Sequence, residues 1–280
     1  MAESSVQNGV SKTSWGDEVS SNGSTNGGSA RGDKKNTGIK AHPKSKDTHH
    51  TYSVYYYGEE IETTVTHRAS VVDNWLDHLL EEFKSRLNNL VVGLDIEWRR
   101  LERNNKDSRR RKVAVLQLCV DNHCLIYQFS CCDKKTPESL KKFLADEELI
   151  FVGAGIEADA YKLMVDYGLK VARTEDLASF VAFKTGDSRL YKYGLKKLVK
   201  DVLKQDLPKS RFVQTSDWEL SLLSNKQIEY ACLDAVASFK LGVQLMSLGN
   251  PRHTYRKQVP PRLRKSNGGK TNGTNNELTN

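Results

Sequence analysis

The sequence predicts an α/β protein in which a mixed sheet is flanked by helices. Three apolar segments rich in β-branched residues follow one another at residues 91–98, 113–120 and 124–129. Beyond them the pattern alternates between helices and strands. Consecutive strands followed by such an alternation indicate a sheet with antiparallel and parallel parts, covered by helices.

A β-hairpin and a helix are predicted in front of this sheet. Apolar and polar residues alternate over residues 52–57 and 61–66, on either side of Gly58 and Glu59. Residues 70–87 carry apolar side chains at helical spacing, with Ser70 in the N-cap position. The later elements are predicted as helices over residues 137–145, 157–167, 177–184, 194–203 and 225–246, and strands over residues 149–153 and 171–176.

Composition divides the chain into one domain and two polar ends. Residues 1–50 and 249–280 are rich in polar residues and glycine, so neither segment can bury a core and both are expected to be disordered. The domain is therefore predicted to span residues 51–248. Residues 250–280 hold seven basic residues and one acidic residue, and residues 1–50 hold seven and five, so the net charge of +8 belongs to the ends.

Composition also disfavours several classes of protein. No stretch approaches about 18 uncharged apolar residues, so no membrane span is expected. The N-terminus lacks the charged and apolar regions of a secretory signal. The five cysteines include no Cys-x-x-Cys pair and no nearby histidine pair, which favours reduced intracellular thiols over a zinc site.

Two acidic residues interrupt the first of the three apolar segments. Asp95 and Glu97 are two residues apart on a predicted strand, so their side chains point to the same face. Burying two like charges side by side is costly unless a cation lies between them. The pair indicates a divalent metal site, although by itself it also fits a solvated edge or separate ion pairs.

Two further carboxylates lie where strand and helix meet and on the last helix. Asp159 follows a short strand that opens onto a helix, and Asp234 lies one turn after Tyr230 on the same helical face. Alone, Asp159 fits an acid favoured by the helix dipole, and Tyr230 with Asp234 fits an ordinary amphipathic pair. The four acids together, in this order and in these contexts, predict a metal site.

A basic segment begins directly after Glu97. Residues 99–112 hold eight basic and two acidic residues. The segment fits a solvated loop, a nuclear import signal, or phosphate binding beside an acidic site, and these interpretations do not exclude one another. The expected localisation is the nucleus and/or the cytoplasm. The basic residues at its end are Arg109, Arg110, Arg111 and Lys112.

Three motifs carry a resemblance to a known family. They are Gly93-Leu-Asp-Ile-Glu-Trp98, Gly153-Ala-Gly-Ile-Glu-Ala-Asp159 and Tyr230-Ala-Cys-Leu-Asp234. They resemble the 3′–5′ exonuclease superfamily in its Asp-Glu-Asp-Asp-Tyr branch, with the Werner-syndrome-like exonuclease domains and their short plant relatives nearest over residues 51–247. The resemblance implies an RNase H-like fold: a mixed five-stranded sheet flanked by helices, with an N-terminal β-hairpin and helix.

The resemblance also implies a reaction and its cofactors. The protein would remove nucleotides from the 3′ end of DNA and/or RNA with two Mg²⁺ or Mn²⁺ ions, which prefer oxygen ligands. Asp95 would bridge both ions, Glu97 and Asp234 would complete the first site, and Asp159 would hold the second ion mainly through water. Tyr230 would orient the attacking water, because a phenol with an ordinary pKa of about 10 is a poor base.

Nucleic acid is the partner that this reaction requires. A wall for the terminal base is expected from Leu94, Ile96, Trp98 and Tyr161, where the family commonly has Trp in place of Tyr161. Two other functions fit the same sequence: a nucleic-acid-binding protein with an inactive exonuclease-like fold, and an RNase H-like endonuclease. The choice between DNA and RNA is left open. Targeting would depend on a protein partner or a homo-oligomer, and no membrane is involved.

Overall fold

An eight-stranded sheet forms the centre of the fold, and helices cover both of its faces. The computed structural model describes residues 36–42, 49–98, 112–131 and 136–247. The strands are β1 (Thr37–Ala41), β2 (His49–Tyr56), β3 (Glu59–Thr66), β4 (Val91–Glu97), β5 (Val115–Val120), β6 (His123–Gln128), β7 (Ile150–Gly153) and β8 (Thr174–Asp176). The helices are α1 (Ala69–Glu82), α2 (Glu138–Ala145), α3 (Ile156–Tyr167), α4 (Leu177–Thr185), α5 (Leu195–Leu198), α6 (Arg211–Gln214) and α7 (Asn225–Ser247).

The sheet is mixed, in the order β1-β2-β3-β6-β5-β4-β7-β8. Strands β4, β5 and β6 pair antiparallel, whereas β7 runs parallel to β4 and β8 runs parallel to β7. These five strands are the predicted five-stranded mixed sheet. The predicted N-terminal hairpin is present as β2 and β3, and it extends the sheet because β3 pairs parallel with β6.

The N-terminal boundary differs from the prediction. Strand β1 and the first residues of β2 lie inside the segment that was expected to be disordered, and β1 pairs antiparallel with β2. The short β1 has no run of buried apolar residues, so the hydrophobic pattern gave no sign of it. Its order comes from backbone pairing with β2, and the sheet therefore begins at Thr37. The other residues of both polar ends lie outside the described part of the chain.

Smaller differences concern helix ends and turns. The N-cap of α1 is Arg68 rather than Ser70, and its side chain makes no capping hydrogen bond. The β2–β3 turn centres on Tyr57 and Gly58, both with positive φ, rather than on Gly58 and Glu59. The segment predicted as one helix over residues 194–203 is α5 followed by a π-helical turn, Val199–Leu203. Helix α6 was not predicted.

No helix among the described residues is both long and apolar enough to cross a membrane.

Side-chain alternation along β4 divides the molecule into two cores. Val92, Leu94 and Ile96 point to one face and pack in the core that contains α1, α2 and α3. The alternate residues face α7, whose apolar side chains fill the second core with those of α4 and α5. Asp95 and Glu97 are therefore on the α7 side of the sheet.

Helix α7 lies directly against β4 at Gly93. A Cβ atom on Gly93 would lie 2.1 Å from the carbonyl oxygen of Ala235 and 2.7 Å from the amide nitrogen of Phe239. No side chain fits in this space, so only glycine allows the two backbones to approach this closely. The contact brings the middle of α7 beside the acidic residues of β4.

Replacing Gly93 should therefore destabilise the whole domain. We expect Gly93→Ala to lower the free energy of unfolding by at least about 3 kcal/mol, because the added methyl group meets backbone atoms that cannot rotate away. Urea unfolding in EDTA measures the effect without a metal contribution. Gly38→Ala is the matched control, because a Cβ there meets no atom within 4 Å. Equal unfolding midpoints for the two variants would contradict this account of the contact.

Candidate active site

Three carboxylates from two elements converge between β4 and α7. Asp95 and Glu97 extend from β4 and Asp234 from α7, and one carboxylate oxygen of each lies within 4.8 Å of the other two. Glu97 and Asp234 are buried, and Asp95 is half-buried. Three negative charges this close and this poorly hydrated repel one another strongly, so the arrangement suits a divalent cation.

The three acids line a cleft of about 540 Å³. Asp159 and Tyr230 line the same cleft, so the structure brings together all five residues that the sequence predicted for catalysis and metal binding. Several cleft residues were not predicted from the sequence. They are Ala154, Gly155, Glu157, Asp176, Ala178, Tyr191, Lys192, Tyr193, Gly194, Leu195, Lys209 and Gln214.

Asp159 stands in the first turn of α3, outside the tight group of three. Burial and the charges of Glu157 and Asp176 raise its pKa to about 7, against a partly opposing effect of Lys209. Asp176 also holds the local backbone, because its carboxylate accepts hydrogen bonds from the amides of Gly155 (2.6 Å) and Ser179 (2.8 Å). The end of α3 that carries Asp159 is thereby tied to the start of α4.

The electrostatic cost of the site is concentrated on Asp95. Burial raises the pKa of its carboxyl well above the ordinary range, and the charges of Asp234, Asp159 and Glu97 raise it further. Burial also raises the pKa of Asp234, although Lys209 opposes this shift. The pKa values of Asp95 and Asp234 are both raised, which means that the surroundings of the metal-free site do not fully stabilise its negative charge.

Lys209 supplies a cationic partner to these acids. Its Nζ lies 2.7 Å from Oδ2 of Asp234, and its side chain is only 25% exposed. Burial lowers the pKa of Lys209, but the charges of Asp234 and Asp95 outweigh this effect and the net shift is upward. No local pattern singles out Lys209, because it lies in an irregular segment between the π-helical turn and α6.

Tyr230 presents a buried hydroxyl to the same cleft. Its ring packs against Trp218 with centroids 6.0 Å apart, and its buried hydroxyl interacts with the Asp234 carboxylate. Burial raises the pKa of Tyr230 far above its ordinary value, and the charges of Asp234, Glu97 and Asp95 add to the effect. The hydroxyl therefore stays protonated, so it suits the orientation of a water molecule and not the removal of a proton.

The four residues predicted to form a wall for a terminal base lie in different surroundings. Trp98 lines the cleft, and the Nζ of Lys162 lies 5.2 Å from its ring centroid. The side chains of Leu94 and Ile96 are buried in the core on the opposite face, because side chains alternate along a strand, so neither can stack on a base and their assignment to the wall was wrong. Tyr161 is 67% exposed and is not among the residues that line the cleft.

The predicted basic segment is described only at its end. Lys112 is exposed, with its Nζ 5.5 Å from the Tyr167 ring centroid. Arg109, Arg110 and Arg111 lie outside the described residues. Their role in phosphate binding or nuclear import remains a prediction.

The side chains present fit hard divalent ions. Carboxylate oxygens, which Mg²⁺ and Mn²⁺ prefer, line the cleft, and among the described residues no thiol or imidazole does. Carboxylates held on a central strand and on the helix that covers it are an arrangement suited to metal-dependent cleavage of phosphodiesters. The fold and the site thus define a metal-dependent nuclease.

Residues 76–249 match the family described as 3′-5′ exonuclease, and the chain belongs to this family. A 3′-5′ exonuclease of Arabidopsis thaliana is 32% identical over 209 residues, which cover 73% of this chain and 70% of the relative. The bifunctional 3′-5′ exonuclease/ATP-dependent helicase WRN of Mus musculus is 32% identical over 179 residues, which cover 63% of this chain and 12% of that protein.

The comparison with solved structures supports the fold. Escherichia coli RNase D superimposes with a TM-score of 0.51 at 20% sequence identity, over 62% of this chain and 43% of that chain. The predicted RNase H-like architecture is thereby confirmed. The resemblance to the 3′–5′ exonuclease family, including its Werner-syndrome-like and plant members, is confirmed by the sequence relatives.

The stability of the metal-free protein should fall as the pH rises from about 4 to about 7. The pKa of Asp159 is about 7 in the folded protein against an ordinary 3.8, so in this window the folded state binds more protons than the unfolded state. Raising the pH removes those protons and weakens the folded state. Chemical unfolding in EDTA at several pH values measures the slope.

Two variants separate Asp159 from other acids. Asp159→Asn should lose its part of this dependence. Asp77→Asn should keep the wild-type slope, because Asp77 is exposed on α1, across the sheet from α7. Parallel pH profiles for wild type and Asp159→Asn would contradict the upward shift of this pKa.

Proposed function

We propose that the protein removes nucleotides one at a time from the 3′ end of DNA and/or RNA, by hydrolysis that depends on two Mg²⁺ or Mn²⁺ ions. The observation that carries the proposal is the convergence of Asp95, Glu97 and Asp234 within 4.8 Å, in a cleft shared with Asp159 and Tyr230. The spacing of Tyr230 and Asp234 supports a place in the Asp-Glu-Asp-Asp-Tyr branch, near its short plant members.

The chemistry follows from the groups that the fold holds in place. Divalent ions at this site would make bound water more acidic and stabilise charge on the leaving 3′-oxygen. Asp95 and Glu97 are oriented by the pleat of β4, Asp234 by α7 and Asp159 by α3. The protonated Tyr230 hydroxyl lies beside the Asp234 carboxylate, where it would donate a hydrogen bond that orients the attacking water.

Lys209 has two roles in this proposal. In the protein without metal it neutralises part of the acidic charge through its contact with Asp234. When divalent cations take over that task, its Nζ is available to a phosphate oxygen of the substrate, since the side chain already lines the cleft. A lysine suits this exchange because its ammonium is a compact charge on a flexible stem.

Binding of the substrate combines stacking and charge. Trp98 and the half-exposed Tyr191 line the cleft and offer aromatic rings to a terminal base. Tyr161 offers a further exposed ring two residues after Asp159. We also propose that Arg109, Arg110, Arg111 and Lys112 contact phosphates or direct nuclear import, so that the protein acts in the nucleus and/or the cytoplasm. A protein partner or homo-oligomer would provide targeting.

Two alternatives remain testable. A non-catalytic nucleic-acid-binding protein would bind strands without shortening them, and the presence of all four acids and Tyr230 argues against it. An RNase H-like endonuclease would cut within a strand and therefore open a closed circle. Both alternatives use the same fold, so only products distinguish them.

One assay tests the reaction and its direction. With Mg²⁺ or Mn²⁺, 5′-labelled DNA and RNA strands should shorten one nucleotide at a time from the 3′ end, and a bulky 3′ block should stop the reaction. Asp95→Asn should abolish cleavage, because it removes the ligand expected to bridge both ions, whereas Asp77→Asn should cleave like wild type. Comparable rates for Asp95→Asn and wild type would show that the site is wrongly assigned, and cutting of a closed circle would favour the endonuclease.

Tyr230→Phe tests the role of the phenol alone. The change keeps the ring against Trp218 and removes no metal ligand, so we expect about a 10–100-fold lower rate, or about 1.4–2.7 kcal/mol in the barrier, with unchanged metal affinity. Tyr56→Phe is a matched control, because the Tyr56 hydroxyl is also buried but does not line the cleft. An unchanged rate for Tyr230→Phe would mean that other groups orient the water.

A further inference from the structure

Gln117 on β5 carries a buried amide without hydrogen bonds. The residue is 0% exposed, and neither its Nε2 nor its Oε1 has a partner within the described part of the chain. Two other buried glutamine amides among the described residues are paired. The Nε2 of Gln128 donates to the Leu220 carbonyl oxygen at 3.0 Å, and the Nε2 of Gln227 donates to the Asp217 carbonyl oxygen at 2.9 Å. An unpaired buried amide destabilises the folded protein, so the presence of Gln117 at this position needs a physical explanation.

The sheet register places this amide beside Asp95. Gln117 is the direct cross-strand partner of Asp95 in the antiparallel β4–β5 pair, so both side chains are on the face covered by α7. The neighbours of Gln117 on the same face of β5 are Val115 and Cys119, and its partner on β6 is Ile126. Asp95 is therefore the one carboxylate directly opposite Gln117, among surroundings that are otherwise apolar.

The two side chains are within reach of one another. Directly opposed Cβ atoms in antiparallel strands lie about 4.5–5.5 Å apart. The Nε2 atom of a glutamine is two bonds beyond Cγ, so a change of rotamer can bring it to a carboxylate oxygen on the opposite strand. Within the described residues, the Asp95 carboxylate has no hydrogen-bond donor of its own. A donor and an acceptor thus face each other across the strands without being joined.

We infer that Gln117 is a positioning residue for Asp95: its Nε2 donates to the Asp95 carboxylate when the site holds divalent cations. This inference rests on the metal-dependent function proposed above. An ionised, metal-bound carboxylate is a strong acceptor, and hydrogen bonds from outside the ligand set orient the ligand toward the ion. The amide remains unpaired in the metal-free protein and is satisfied when the site is loaded.

Two effects of opposite sign follow for Gln117→Met, which keeps the length of the side chain but removes both polar atoms. In EDTA the variant should have a Tm equal to or above that of wild type, because an unpaired buried amide has been replaced by an apolar group. Its affinity for Mn²⁺, measured by titration calorimetry with the metal alone, should fall about 10-fold, as is typical when a group supporting a ligand is lost.

Gln128→Met provides the matched control, since it removes an amide that is buried but paired. It should lower the Tm in EDTA and leave the Mn²⁺ affinity unchanged. If Gln117→Met binds Mn²⁺ like wild type, or loses affinity together with Tm in EDTA, Gln117 is a packing residue and the inference is overturned. If wild type itself binds no Mn²⁺ and Asp95→Asn behaves identically, the proposed function fails, and the inference fails with it.

Discussion

At Gly93 the backbone of β4 approaches α7 so closely that a single methyl group would meet the Ala235 carbonyl oxygen. The position of the acidic site depends on this contact. It places Asp234, next to Ala235 in the helix, beside the two acids of β4, and it covers the face of the sheet that carries them. A larger residue at position 93 would separate the helix from the strand, and the three carboxylates would no longer form one ligand set.

The contact concentrates charge in a place where hydration is poor. Burial raises the pKa of Asp95 and Asp234, the charges of neighbouring acids raise that of Asp95 further, and the half-buried Lys209 offsets only part of these shifts. The metal-free protein therefore carries a local instability, which the two apolar cores on either side of the sheet outweigh. The unpaired amide of Gln117 belongs to the same pattern: it lies beside a site whose arrangement becomes favourable when cations are bound.

Much of the architecture could be read from local patterns. The four strands β4–β7 and the long helices show strong hydrophobic patterns, because each buries one face or both. β1 escaped prediction since it is held by backbone pairing with β2, which leaves little mark on side-chain choice. The π-helical turn after α5 and the short α6 escaped as well, because neither is long enough to show a helical period.

By itself the sequence determined the reactive groups: motif spacing selected Asp95, Glu97, Asp159, Tyr230 and Asp234, and the structure places all five in one cleft. The tertiary structure alone revealed Lys209, Glu157, Asp176 and Gln117, and it removed Leu94 and Ile96 from the predicted wall. The physical reason is the range of the interactions. Strand and helix periodicity act over a few residues and are visible in sequence, whereas charge compensation and cross-strand pairing join residues that only the folded chain brings together.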